Sequence, residues 1–267
     1  MRSVAFLNQK GGAGRTTLAA SVAVAAADAG ERVIAFDLDP QSSLLRWGQR
    51  RAAASTQNRV MIEPLESERL PRLRAILEGI SESGFTLALF DTAGADRTAA
   101  QYVIEATDLC LLPARPTHID VDVAIETFRA AFLAKRKAAF VLNQCPPTFR
   151  GTRATEAAEA LACRGILAEP MLSSRTDFQD AIAAGLGVTE YAREGKAAQE
   201  ILALWNWIRV QLEGTESKMP TKNQPGQLPR GAGRCRLRPC STDDLLARSR
   251  QVCSQMAPVR SHYFEQV

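Results

Sequence analysis

Histidine is scarce in this chain of 267 residues, which contains His118 and His262 and no others. None of its six cysteines is spaced like the ligands of a zinc site or like a redox pair. Aromatic residues make up only 6% of the chain, and no apolar run approaches the roughly 20 residues that span a bilayer. The N-terminus also lacks the pattern of a secretory signal. These absences disfavour a histidine-rich metal centre, a disulfide scaffold and an integral membrane protein, and they favour reduced thiols and a cytoplasmic location.

The charge of the chain is unevenly distributed. From Lys218 onward there are 9 Lys and Arg against 3 Asp and Glu, whereas residues 1–217 carry 24 against 26. Beyond about residue 216 the chain is rich in Pro, Gly, Arg, Gln and Ser and lacks a sustained apolar period. We therefore predict one domain over 1–214 and a basic, disordered, low-complexity extension over 215–267. Its stretch "RGAGRCRLRPC" is open to two interpretations, a phosphate-neutralising segment or a tail without function.

Strand-like and helix-like stretches alternate along the first 214 residues. Apolar strands are predicted at "SVAFLN", "RVIAFDLD", "RVMIEP", "FTLALFD", "DLCLLPA", "KAAFVLN" and "GILAEPML". Helices are predicted between them, among them 16–30 and 68–84, and after them at 177–185 and 197–213. Continuously apolar strands separated by helices are typical of a parallel sheet that is covered on both faces. The predicted fold is therefore α/β, with a doubly wound, mainly parallel sheet and helices on both faces.

The stretch "QKGGAGRTT", residues 9–17, follows the first predicted strand and opens a helix. In that context a glycine-rich turn directs backbone N–H groups, and the positive end of the helix, toward phosphate oxygens. The stretch is a variant of the phosphate-binding pattern G-x-x-x-x-G-K-[ST], with arginine in the place of lysine. It predicts a P-loop NTPase-like fold and a nucleotide site formed by Gly11, Gly12, Ala13, Gly14, Arg15, Thr16 and Thr17, with Lys10 directly before the glycines.

Carboxylates follow two other predicted strands. Asp37 and Asp39 lie in "FDLDPQ", and Asp91 lies in "LALFDTAG". Ligands of open α/β sheets bind at the carboxyl ends of the strands, and Mg²⁺ prefers oxygen ligands. Each aspartate taken alone could equally be a helix cap or a turn residue. Together they predict a magnesium site facing the glycine-rich loop.

The stretches "KGGAGRTT", "DLDPQ", "DTAG" and "FVLNQ" resemble the ParA/MinD group of deviant Walker-type ATPases, and most closely the ParA-type plasmid and chromosome partition proteins. The resemblance covers about residues 1–212. It implies an ATP hydrolase that uses Mg²⁺ and forms an ATP-sandwich homodimer. It also implies non-specific DNA binding, a cytoplasmic, nucleoid-associated location, a ParB-like partner protein bound to a centromere-like site, and no stable membrane association.

The resemblance also implies roles for individual residues. Lys10 would reach across the dimer to the partner's nucleotide, Thr16 would coordinate magnesium and Thr17 would contact the α-phosphate. Asp39 would position the attacking water, Asp37 and Asp91 would belong to the magnesium site, and Asn143 would bind the adenine edge. DNA binding would fall to basic residues of the C-terminal third, although each of them taken singly is more typical of an ordinary surface charge: Arg175, Arg193, Lys196 and Arg209.

Arg15 departs from the family, which has lysine at this position. Arginine is a larger, planar cation with its own bidentate geometry, so the exchange is not conservative. Misplacement of a catalytic group by about 1 Å can reduce the reaction rate roughly a hundredfold. Two interpretations therefore stay open, a working ATPase and a nucleotide-binding switch or adaptor with little turnover, for example in plasmid transfer. A third, a MinD-like membrane-cycling protein, would need a membrane-binding C-terminal helix, but the helix with Trp205 and Trp207 resembles one that packs on the core.

Overall fold

The structure, a computed structural model, describes residues 1–54, 60–94, 96–147 and 152–216, without the side chains of residues 152 and 214–216. All of these residues belong to one compact unit, Met1–Met219. The predicted basic extension over 215–267 lies outside the described residues, except that residues 215 and 216 continue the last helix.

The described part of the chain contains one sheet of seven strands, and each of their pairings is parallel. The strands are β1 (Arg2–Phe6), β2 (Val33–Asp37), β3 (Val60–Pro64), β4 (Leu87–Asp91), β5 (Leu109–Ala114), β6 (Lys137–Leu142) and β7 (Ile166–Leu167). They lie in the order β3-β2-β4-β1-β5-β6-β7, which places β1 at the centre of the sheet. The predicted doubly wound parallel sheet is confirmed.

Helices cover both faces of this sheet. Within β4, Leu87 and Leu89 pack into one apolar cluster, whereas Ala88 and Phe90 pack into the other, as the two-residue period of a strand requires. The first cluster lies under α1 (Arg15–Asp28), α2 (Ser43–Ala54), α7 (Thr176–Ala183), α8 (Val188–Tyr191) and α9 (Lys196–Glu216). The second lies under α3 (Leu73–Glu82), α4 (Arg97–Ala106), α5 (His118–Leu133) and α6 (Thr152–Ala162).

Helix α1 lies between the sheet and α9, and its residues from Leu18 to Ala27 are all buried. A helix that is apolar on every side is stable only when it is covered on every side, and the many alanines allow its neighbours to approach closely. Helix α9 buries Leu204, Trp205 and Ile208 in the same cluster, which confirms that it packs on the core. No helix in the described part of the chain is long and apolar enough to cross a membrane.

Three predictions of secondary structure differ from the structure. The stretch 68–84 is divided into a 3₁₀ helix (Ser67–Arg72) and α3, and Pro71, which has no N–H to donate, lies at this division. The strand predicted over 165–172 is limited to Ile166–Leu167, because Pro170 cannot donate to the ladder. The four-residue helix α8 was not predicted from the sequence.

A buried ion pair joins α2 to α8. The Arg51 guanidinium donates to both carboxylate oxygens of Glu190, at 2.6 and 2.9 Å, and lies 5.5 Å from the Trp47 ring centroid. The Trp47 indole N–H donates to the carbonyl of Leu186 at 3.2 Å. These contacts attach the helix that follows β2 to the segment between α7 and α8.

Glu190→Ala should lower the free energy of unfolding by roughly 2–4 kcal/mol, because it leaves the buried Arg51 cation unpaired. Glu194→Ala is the matched control, since this glutamate is exposed and its side chain should contribute less than about 0.5 kcal/mol. Urea unfolding of the three proteins measures both effects. Equal decreases in the free energy of unfolding of the two variants would contradict this role of the ion pair.

Candidate functional site

The site lies where β1, β2 and β4 end. In the register of the sheet, Asp91 at the end of β4 is aligned with Phe6 of β1 and with Asp37 of β2. The glycine-rich loop leaves β1 at this same edge and leads into α1. Three stretches that are distant in the sequence therefore meet at the carboxyl edge of the sheet.

The glycine-rich loop has a backbone shape that depends on two glycines with positive φ. Gly12 has φ +81° and Gly14 has φ +90°, and a Cβ on Gly14 would lie 2.4 Å from the amide nitrogen of Asn143. The Asn143 amide donates to the carbonyl of Ala13 at 2.8 Å, and the neighbouring Gln144 amide donates to the carbonyl of Gly12 at 2.9 Å. Two side chains that follow β6 thus hold the loop from outside.

Helix α1 begins at this loop, with Gly14 as its N-cap residue and without a side-chain cap among the described residues. The N–H groups of its first turn have no partners within the helix, and the helix dipole adds partial positive charge. This helix end is suited to binding phosphate oxygens. Thr17 lies in its first turn and lines a cavity of about 140 Å³ together with Asn143, Gln144 and the segment Ser173–Arg175.

Thr16 and Asp91, two of the three residues predicted to bind magnesium, are in direct contact. The Thr16 hydroxyl donates to Asp91 Oδ2 at 2.6 Å, while Asp91 Oδ1 is buried and has no hydrogen-bond partner among the described residues. Burial raises the pKa of Asp91 to about 7, and the hydrogen bond from Thr16 opposes this rise. An unpartnered carboxylate oxygen beside a hydroxyl fits Mg²⁺, which is often held by one or two carboxylates together with substrate phosphates and water.

Asp37 and Asp39 have different surroundings from Asp91. Both carboxylate oxygens of Asp37 accept backbone N–H bonds, from Asp39 and Leu45, each at 3.0 Å. Asp37 therefore shapes the loop after β2, and any contact with a cation would compete with these bonds. Asp39 is partly exposed, and its Oδ2 lies 4.0 Å from Arg15 Nη2.

The Arg15 side chain is folded into the loop and is 10% exposed. Its Nη1 donates to the backbone carbonyls of Asn8 and Lys10. A Cβ on Gly94 would lie 3.3 Å from both terminal nitrogens, so the guanidinium fits against a backbone without a side chain. Its Nε is buried and has no partner in the described part of the chain. Arg15 thus places its positive charge inside the loop, beside Asp39.

The Lys10 side chain is paired with Asp120 rather than with the carboxylates of the predicted magnesium site. Its ammonium group donates to Asp120 Oδ2 at 3.0 Å, and Asp120 also binds Arg115 at 3.2 Å and Thr117. Burial raises the pKa of Asp120, but the hydrogen bonds from Thr117, Lys10 and Arg115 outweigh burial and hold the pKa below its ordinary value. Lys10 is therefore bound to the start of α5 in this structure.

The four basic residues predicted to bind DNA have different environments. Arg193, Lys196 and Arg209 are exposed. Arg175 is partly buried, and its Nη2 donates to Glu200 of α9 at 2.7 Å. Glu200 also accepts from the backbone and the hydroxyl of Ser173 at 3.0 and 2.9 Å. Arg175 therefore contributes to the wall of the cavity beside Thr17 and, unlike the other three basic residues, is not fully exposed.

Sequence reasoning missed four residues of the site: Gly94, Arg115, Asp120 and Gln144. Gln144 follows the predicted Asn143 in "FVLNQ", and Gly94 lies in "DTAG", so both lay within stretches already noted. Arg115 and Asp120 follow β5, whose carboxyl end shares an edge with β1. Their position after a neighbouring strand was the signal that could have identified them.

Together the parallel sheet, the glycine-rich loop and the strand-end carboxylates define a P-loop protein of the ParA/MinD class. A family model described as VirC1 protein matches residues 1–202. The chain belongs to this family, whose sequence pattern therefore covers the whole site.

Known proteins agree with this assignment. The chain is 36% identical over 216 residues to the maintenance of carboxysome distribution protein A of Gloeobacter kilaueensis, covering 79% of this chain and 94% of that protein. It is 32% identical over 177 residues to VirC1 of Rhizobium rhizogenes, covering 64% of this chain and 76% of that protein. The solved structure of MinD with Mg-ADP from Pyrococcus horikoshii OT3 has the same fold, with TM-score 0.62, 18% identity and coverage of 82% of this chain and 99% of that chain. That structure contains Mg²⁺ with ADP, whereas the ligands predicted for this chain are Mg²⁺ and ATP.

Gly14→Ala should weaken nucleotide binding by about tenfold or more, because alanine at this positive φ is strained and its Cβ would displace Asn143. Gly79→Ala in α3 is the matched control, since a Cβ there has no described neighbour within 4 Å and the residue lies outside the loop. Calorimetric titration with Mg-ADP measures both variants. A loss of the same size in Gly79→Ala would contradict the specific contact with Asn143.

Asp91→Asn should stabilise the protein in EDTA at about pH 8, by on the order of 1–3 kcal/mol, and should have little effect near pH 4.5. The pKa of Asp91 is raised from 3.8 to about 7 on folding, so the parent protein loses stability as the pH rises through that range. Asparagine has no charge to bury. Denaturant unfolding at the two pH values tests this, and a difference that does not change with pH would contradict it.

Proposed function

We propose that this chain is a ParA-like ATPase that binds ATP with Mg²⁺, hydrolyses it and forms an ATP-dependent homodimer. The observation that carries the proposal is the Thr16–Asp91 pair, with its unpartnered buried oxygen, at the uncapped start of α1. A hydroxyl, a carboxylate and a helix N-terminus are the groups that hold a metal-bound polyphosphate in P-loop proteins. Both residues of this pair lie within the part of the chain that the family model matches, residues 1–202.

Each part of the site has a role in this reaction. Backbone N–H groups of residues 11–17 bind the phosphates, and Arg15 adds positive charge inside the loop. Thr16 and Asp91 would hold Mg²⁺, which neutralises phosphate charge when it is bound. Asn143 and the cavity of about 140 Å³ beside Thr17 would receive the base.

Hydrolysis requires a water molecule in line with the bond that breaks. Asp39 is the partly exposed carboxylate at this edge, and its Oδ1 is oriented by the backbone N–H of Gln41 at 2.9 Å. It can accept a hydrogen bond from a water whose oxygen bonds to the γ-phosphorus as the bond to the β–γ bridging oxygen breaks. The water proton passes to Asp39 or to the departing phosphate. ADP and inorganic phosphate are the products.

The cellular role that we propose is positioning or partition of a cargo on DNA. The relatives include a protein named for carboxysome distribution and VirC1 proteins, so the cargo need not be a chromosome. The exposed residues Arg193, Lys196 and Arg209 are suited to non-specific contacts with DNA phosphates. We further propose cytoplasmic, nucleoid-associated localisation and stimulation by a ParB-like partner bound to a centromere-like site.

Arg15 favours a second function, a nucleotide-binding switch or adaptor that turns over little ATP. Its guanidinium is already engaged by the carbonyls of Asn8 and Lys10 and lies near Asp39. Catalysis of phosphoryl transfer depends mainly on position and charge, so a cation held elsewhere in the loop would lower turnover more than binding.

ATP hydrolysis by the parent protein and by Arg15→Lys, with Mg²⁺ and non-specific duplex DNA, separates the two functions. Under the first function we expect the parent to hydrolyse ATP at a rate within about tenfold of Arg15→Lys, with comparable Mg-ADP affinity, because Arg15 keeps a positive charge inside the loop. Size-exclusion chromatography with light scattering should show a dimer with ATP and a monomer with ADP.

Binding without turnover in the parent, restored by Arg15→Lys, would support the switch instead. If neither protein binds ATP, both functions are wrong. Thr16→Ala, which removes the hydroxyl beside Asp91, is the variant expected to lose Mg²⁺-dependent binding in either case.

A further inference from the structure

Two cations share one buried carboxylate at the edge of the nucleotide site. The Asp120 side chain is 0% exposed, and Lys10 donates to its Oδ2 at 3.0 Å. Arg115 contacts Oδ1 through both Nε and Nη2, each at 3.2 Å, and Thr117 donates to Oδ2. This cluster of Lys10, Arg115, Thr117 and Asp120 therefore holds one positive charge more than the carboxylate needs.

The two cations are attached to Asp120 differently. Arg115 belongs to the same turn as Asp120, because the N–H of Thr117 donates to the Arg115 carbonyl at 2.8 Å and Thr117 caps α5. Lys10 instead comes from the glycine-rich loop, distant in the chain, although the Lys10 and Arg115 side chains are similarly exposed, at 31% and 32%. A buried carboxylate without a partner is strongly unfavourable, but Arg115 and Thr117 would satisfy Asp120 without Lys10. Lys10 is thus the cation that can leave.

Arg115 is also close to the glycine-rich loop. Its Nη1 lies 3.7 Å from the position that a Cβ on Gly12 would occupy, whereas Nε and Nη2 face Asp120. The guanidinium therefore lies between the buried carboxylate and the loop that carries Lys10. It can balance the charge of Asp120 while the loop changes its contacts.

We propose that Arg115 is a positioning residue that neutralises Asp120 and so allows Lys10 to move to an anionic ligand. The ligand that we infer is the polyphosphate of a nucleotide bound by a second copy of this chain, a part of the inference that rests on the proposed function. Without Arg115, Lys10 would be the last cation on a buried carboxylate and would be retained there.

The reactivity of Lys10 toward an amine-acylating reagent, measured by mass spectrometry without nucleotide, tests the release of Lys10 directly. Arg115→Gln should slow acylation of Lys10 by about threefold to tenfold, because an ammonium that is the last cation on a buried carboxylate leaves that carboxylate less often and so meets the reagent less often. Arg115→Lys, which keeps the cation, should restore most of the parental rate. Arg97→Gln is the control, since Arg97 contacts Gln9 rather than Asp120.

A purely structural role predicts the opposite result, because loss of Arg115 would then loosen the cluster and leave Lys10 equally or more reactive. That outcome would overturn the proposal. Adding Asp120→Asn to Arg115→Gln should return Lys10 to at least the parental rate, because the charge that retains it is gone. Failure of this rescue would also count against the proposal.

Self-association tests the consequence for the dimer. Arg115→Gln should weaken the ATP-dependent dimer by about tenfold, and by a larger factor than it weakens Mg-ADP binding, because Lys10 would act on the nucleotide of the second copy. If the parent dimerises with ATP and Arg115→Gln dimerises equally well, the inference is overturned. If the parent does not dimerise with ATP, the proposed function fails, whereas the acylation of Lys10 still decides whether Arg115 controls its release.

Discussion

The register of three parallel strands is the constraint on which the rest of the site depends. Asp91 is aligned with both Phe6 and Asp37, so the ends of β4, β1 and β2 lie side by side. This alignment brings Asp91 within 2.6 Å of the Thr16 hydroxyl on the helix that follows β1. A shift of one residue in β4 or β2 would turn its carboxylate to the opposite face of the sheet or move it along the strand, away from the loop. The apolar clusters on both faces of the sheet prevent such a shift.

The electrostatics of the site follow from this crowding of acidic groups. Asp37, Asp39 and Asp91 converge on one edge, where Arg15 is the cation folded into the loop and Lys10 is bound to Asp120. Burial already favours the protonated form of Asp91, since its pKa is raised to about 7. A polyphosphate brought here without a divalent cation would meet repulsion from these carboxylates. The arrangement therefore favours a metal-bound nucleotide over a free one.

Most of the fold could be predicted from the order of apolar strands and helices, because their periods reflect burial on both faces. Two of the three failures occurred where a proline interrupted a pattern, and the third concerned a very short helix. Pro71 divides a continuous helical pattern, and Pro170 limits β7 to two residues because it lacks an N–H. Helix α8 has four residues, too few for a period to be read. The roles inferred for Lys10, Asp39 and Asn143 stay predictions, although all three side chains lie near the loop.

The sequence by itself determined the class of fold, the position of the phosphate loop and the chemical identity of the strand-end carboxylates. These depend on local patterns of apolar residues, glycine and aspartate, which can be read without knowing what lies beside them. Only the tertiary structure decided which groups are paired: Arg175 with Glu200, Arg15 with the loop carbonyls, and Lys10 and Arg115 with Asp120. Pairing depends on distances between residues as far as 110 positions apart in the chain, and these distances exist only once the strands have found their register.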